Sequence, residues 1–140
     1  MFKPVTLISL LFLALSTVVS AQTQTDEIDP VVVSPDMYKV LLENEQVRVV
    51  EYQVLPGQKD NWHTHPAKVS YILSGGTLRI TPETGESFVV EEKTGSTSWF
   101  EAVGKHYGSN IGQTPVRIVF VEIKAAKSTR EDIKKYRRDQ

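Results

Sequence analysis

Between residues 38 and 123 the chain breaks into short apolar runs separated by glycine and proline. Residues 38–43 form the first run, and Asn44-Glu45 reads as a turn. Residues 47–55 alternate, with Val47, Val49, Glu51 and Gln53 set against Arg48, Val50, Tyr52 and Val54, and Pro56-Gly57 ends the run. Residues 62–65 make a short strand. Residues 68–74 follow, with Val69, Tyr71 and Leu73 on one face. Gly75-Gly76 reads as a hairpin turn into residues 77–81, where Leu78 and Ile80 share a face. A second turn, Pro82-Glu83-Thr84-Gly85, leads to residues 87–91, and Gly95 closes that unit. Residues 98–103, 106–110 and 116–123 complete the series, the last rich in Val, Ile and Phe. Many short strands with regular turn signals predict an all-β sandwich or barrel rather than an α/β fold.

The ends of the chain read differently. Residues 1–21 have the form of a signal peptide: Lys3, an apolar stretch centred on residues 7–13, and small residues at Val19-Ser20-Ala21. The apolar run is short for a membrane span, so cleavage is expected, with a periplasmic or secreted product and no membrane insertion afterwards. Residues 22–36 are polar, are punctuated by Pro30 and Pro35, and read as a loosely attached N-terminal arm, with Val31-Val32-Val33 a candidate edge strand. At the other end, Ser128 and Glu131 have capping-box spacing, and residues 125–140 read as a short, charged, solvated C-terminal helix or tail. Residues 37–124 are the one folded domain that 140 residues allow.

Composition narrows the function. Net charge is −1, and removing residues 1–21 takes away one lysine, leaving 15 basic against 17 acidic residues, or −2. Nothing in that balance points to nucleic acid as a partner. There are no cysteines, so neither disulfides nor thiol chemistry is available, and a lipoprotein signal is not expected. The chemistry that remains is concentrated in three histidines, His63, His65 and His106. Side chains at i and i+2 of a strand share a face, so His63 and His65 are presented together, as a metal ion requires. His106 lies in a second strand-rich segment, four residues before Asn110.

Around these residues the chain resembles the cupin superfamily. Gly57, His63, His65 and Gly76 fall at the positions of the first cupin motif, and Gly95, His106 and Asn110 at those of the second. The resemblance covers residues 40 to 124 and implies a single cupin-type jelly-roll β-barrel. The first-motif Glu, usually a metal ligand, is replaced by Val69, and the second-motif Pro and inner Gly by Glu101 and Val103. The implied site has two histidines from one strand and one from a facing strand, holding a divalent metal (Fe, Mn, Zn, Ni or Cu) with positions open for water or substrate. With no carboxylate in the set, the metal retains more positive charge and favours anionic ligands.

Glu101 is the nearest acid that could compensate for the missing Glu, although an exposed loop acid is the simpler reading. Trp62 and Tyr71 are expected in packing more than in the pocket. Tyr107 and Asn110 are candidates to orient His106, and Lys68 and Arg79 to attract an anion. The functions that follow are a metal-dependent enzyme, dioxygenase-like or isomerase-like, on a small organic molecule, or alternatively a non-enzymatic module binding a small ligand or sugar. A partner-binding domain using the charged tail is a third reading. Many cupins are homodimers, in which an arm such as residues 22–36 can pair with a neighbour's sheet edge.

Overall fold

The structure, a computed structural model, describes residues 28–124. A one-turn helix, α1 (Pro30–Val33), precedes nine strands: β1 (Tyr38–Glu43), β2 (Val47–Val54), β3 (His63–His65), β4 (Lys68–Ser74), β5 (Gly76–Pro82), β6 (Phe88–Glu92), β7 (Thr97–Phe100), β8 (Val103–Asn110) and β9 (Val116–Ile123). They form two antiparallel sheets, ordered β1-β2-β9-β4-β7 and β3-β8-β5-β6. This is the expected all-β jelly-roll barrel. The expected signal peptide and the expected C-terminal helix or tail fall outside the described residues.

Strand parity builds the interior. Along β9, Val116, Ile118, Phe120 and Glu122 are buried while their neighbours are not. In register beside them stand Val54, Tyr52, Val50 and Arg48 of β2. On the other flank, Ile118, Phe120 and Glu122 pair with Ile72, Ser70 and Lys68 of β4. Val50, Val54, Ile72, Val116 and Ile118 are at most 3% exposed and, with Leu78 of the second sheet, form the apolar end of the core. The polar end of the same rows is the site.

Three local expectations are corrected. Gly75-Gly76 is not a hairpin: β4 pairs with β7 and β9, whereas β5 pairs with β6 and β8, so the glycines carry the chain from one sheet to the other. They are needed for close approach, because a Cβ on Gly75 would stand 2.2 Å from the Glu92 carbonyl oxygen and one on Gly76 2.8 Å from Val116. The predicted strand 98–103 is two strands, since β7 joins β4 and β8 joins β3 and β5. Val31-Val32-Val33 is helical, because Asp29 caps the turn by accepting from the Val31 amide at 2.9 Å and Pro30 occupies its first position.

The part of the arm that is described is not loose. Ile28 and Thr64 bond to each other, the Ile28 amide reaching Thr64 Oγ1 at 3.0 Å and the Thr64 amide reaching the Ile28 carbonyl at 2.9 Å. The arm therefore lines the outer edge of β3 within its own chain.

Candidate metal centre

β3 and β8 are neighbours in one sheet, with His63 directly opposite His106. His106 thus comes from an adjacent strand, and not from a facing one as expected. The three rings meet because the i, i+2 pair and its cross-strand partner share the inner face. All three are buried, and a ring nitrogen from each lies within 4.8 Å of the other two.

The outer ring nitrogens decide the protonation. His63 Nδ1 faces the Asn61 carbonyl at 2.7 Å, His106 Nδ1 the Gly104 carbonyl at 2.7 Å, and His65 Nδ1 Glu122 Oε1 at 2.9 Å. Carbonyl and carboxylate oxygens only accept, so each Nδ1 carries the proton and each neutral ring turns a bare Nε2 inward. Burial holds all three rings neutral: it pushes the pKa of His63 and of His106 down to about 4, and that of His65 well below the usual value. His63 Nε2 and His65 Nε2 are 3.1 Å apart. Two lone pairs at that distance repel, and a cation between them removes the repulsion. The donor set therefore fits a transition metal or zinc.

Behind His65 runs a chain of ionic contacts. Glu122 Oε2 accepts from Arg48 Nε at 2.6 Å, and Arg48 Nη1 donates to Asp29 of the arm at 2.7 Å. Beside His63 lies a second polar cluster. Asp60 is buried, and its Oδ1 accepts from the Gly108 amide at 2.6 Å. The Tyr38 hydroxyl is 2.8 Å from Asp60 Oδ2 and 3.2 Å from His63 Nε2. Burial raises the pKa of Asp60, against the hydrogen bonds from Gly108 and Tyr38 that lower it. The Tyr52 hydroxyl is buried nearby without a partner among the described residues. Between the sheets Tyr38, Tyr52, Asp60 and the three histidines line a cavity of about 180 Å³, whose other walls include Lys68, Phe100, Ile118 and Phe120.

The remaining sequence candidates separate cleanly. Lys68 faces the cavity, but Arg79 is exposed on the outer face. Val69 lies between the inward positions of β4, which hold Lys68 and Ser70 with no carboxylate. Glu101 is exposed and accepts from Trp99 Nε1 at 2.8 Å, so it does not replace the missing ligand. Tyr71 is exposed, and Trp62 packs edge-on against Tyr107 outside the cavity, their centroids 4.7 Å apart. Neither Tyr107 nor Asn110 orients His106. Asn110 clips the following loop by donating to the Val54 and Thr114 carbonyls. Tyr38, Asp60 and Glu122 were not singled out from the sequence. Only Glu122 left a signal there, as an acid in phase with Val116, Ile118 and Phe120 on an otherwise apolar strand.

No protein-family model and no curated protein sequence matches the chain. Among solved structures it is similar to a cupin domain from Bordetella pertussis, with 28% identity over 64% of this chain and 93% of that one and a TM-score of 0.59. A double-stranded β-helix domain protein from Klebsiella pneumoniae is 22% identical over 66% of this chain and 79% of that one, with a TM-score of 0.52. An RmlC-like cupin family protein from Methanocaldococcus jannaschii is 18% identical over 62% and 78%, with a TM-score of 0.52. The last two likenesses concern the fold alone.

Proposed function

We propose, from the premise that this chain is a member of the cupin superfamily, that it is an exported metal-dependent enzyme acting on a small organic molecule. The observation that carries the reading is the convergence of one ring nitrogen from each of three buried histidines whose Nδ1 atoms each face an acceptor. His63, His65 and His106 would hold the ion. A divalent metal on three neutral imidazoles supplies Lewis acidity and, if redox-active, a place for oxygen chemistry, which is why dioxygenase-like and isomerase-like reactions are the classes proposed. Export rests on the form of residues 1–21.

The chain's own groups would do the rest. Glu122 holds the His65 ring in place and makes it a better donor. Tyr38 has one proton and two acceptors, Asp60 Oδ2 and His63 Nε2. Once His63 is engaged, the hydroxyl turns to Asp60 or to a ligand, and the pair can hold or accept a proton there. Ile118 and Phe120, both buried, would give the ligand an apolar wall. The cavity is smaller than the roughly 300–1,000 Å³ of drug-sized sites, so the substrate is small.

A second reading, a non-enzymatic module for a small ligand or sugar, draws on the absence of a carboxylate from the inward positions of β4. Elemental analysis of the purified full chain beside a His63→Ala/His106→Ala variant tests both. One equivalent of metal in the parent and none in the variant is expected, and equal metal in both would overturn the site. With metal established, turnover of small organic substrates separates the enzyme from the binding module.

A further inference from the structure

Among the described residues Lys68 is the one cation lining the cavity, and the metal reading leaves it without a task. It is only 5% exposed. Among the described residues its ammonium makes no hydrogen bond and no ion pair, although its cross-strand partner is an acid, Glu122. Glu122 is already engaged by Arg48 and His65. What surrounds Lys68 Nζ is aromatic: it lies 4.0 Å from the centroid of Phe120 and 5.9 Å from that of Phe100, both on the cavity wall. Glu122, Asp60 and Glu92 act on it through charge without bonding to it, so the ammonium is under-coordinated, and it lines the same cavity as the three histidines.

We propose that the ligand of this cavity is a small organic monoacid whose carboxylate pairs with Lys68 while its other oxygen faces His63, His65 and His106. The proposal rests on the metal reading for the second half of that arrangement. A monoanion suits the charges nearby. Lys68 supplies one positive charge, Arg48 is spent on Asp29 and Glu122, and Asp60 and Glu92 also line the cavity and would repel a dianion. The size of the cavity points the same way, as does its aromatic wall, which accommodates a short carbon skeleton. Burial pushes the pKa of Lys68 down to about 7 despite the acids around it, so an arriving carboxylate would restore the full ammonium.

The test uses lactate and its neutral amide, lactamide, which match in size and differ in charge. Each is titrated calorimetrically into the full chain and into Lys68→Met, with metal content measured on the same samples. The parent is expected to bind lactate at least about tenfold more tightly than lactamide, and Lys68→Met to lose most of that preference at unchanged metal content, keeping only what the metal itself gives an anion. Equal binding of acid and amide by the parent, no binding of either, or a preference undiminished in Lys68→Met would overturn the proposal. The comparison on the parent requires no variant to fold. A parent without metal would defeat the metal reading alone, because a lactate preference that still disappears in Lys68→Met assigns the carboxylate to Lys68.

Discussion

Glu122 divides its two oxygens between a histidine of the site and an arginine of the arm contact. Replacing Glu122 with Gln keeps its size but removes the charge that favours the His65 Nδ1 proton. The expected result is a fall of about tenfold or more in metal affinity, read by competition with a chromophoric chelator. Glu101→Gln should leave affinity unchanged, since that side chain meets only Trp99. Equal affinity in parent and Glu122→Gln would mean that the carboxylate does not tune the ligand. At this scale the sequence revealed the ligands better than their supports. Three histidines, two of them at i and i+2, stand out in any reading. Asp60 and Tyr38 do not, because they reach the site through a loop and an edge strand whose positions depend on the whole topology. The supports of His63 and His106 are backbone carbonyls, which no side-chain pattern can announce.

At the scale of elements, strand positions were legible and partners were not. Residues 38–43, 68–74 and 116–123 were read with the bounds that the structure has. Period-two burial marks a strand, but nothing local says which sheet it enters. Gly75-Gly76 has the composition of a tight hairpin and performs a sheet crossing instead, where the Glu92 backbone passes against the glycine. Gly75→Ala is therefore expected to cost about 3 kcal/mol or more, seen as a lower urea midpoint, because a backbone atom cannot step aside like a side chain. Gly104→Ala is the control: its added Cβ meets nothing within 4 Å, and it should shift the midpoint little. Equal effects at the two positions would mean that β4 and β5 are not joined through a tight crossing.

For the whole molecule, the buried histidines set the response of the metal-free protein to acid. His63 and His106 have pKa values of about 4 when folded, against about 6.5 when unfolded. Between these values the unfolded chain binds more protons, so stability is lost as pH falls from about 6.5 to about 4, and the penalty vanishes above that window. Each ring contributes about 3 kcal/mol at the acid end, and His65 acts in the same direction. Asp60 and Glu92, whose pKa values burial raises, return part of this near the bottom of the window. Urea midpoints should accordingly decline steadily from about pH 7 to about pH 4.5, whereas a flat profile would show the three rings to be open to water.

The five-stranded sheet also has an order of assembly written into it. Its middle strand, β9, is the last strand among the described residues, and Val47 waits for Ile123, 76 positions later (123 − 47), before their pairing can begin. A chain emerging from synthesis has no such sheet until nearly all of the described residues have been made, and long-range pairing of this kind is slow. Glu122 arrives with β9, so the support of His65 and the closing of the barrel come in one step. Until then this sheet cannot close, which would keep the chain from completing its fold ahead of the export proposed for it.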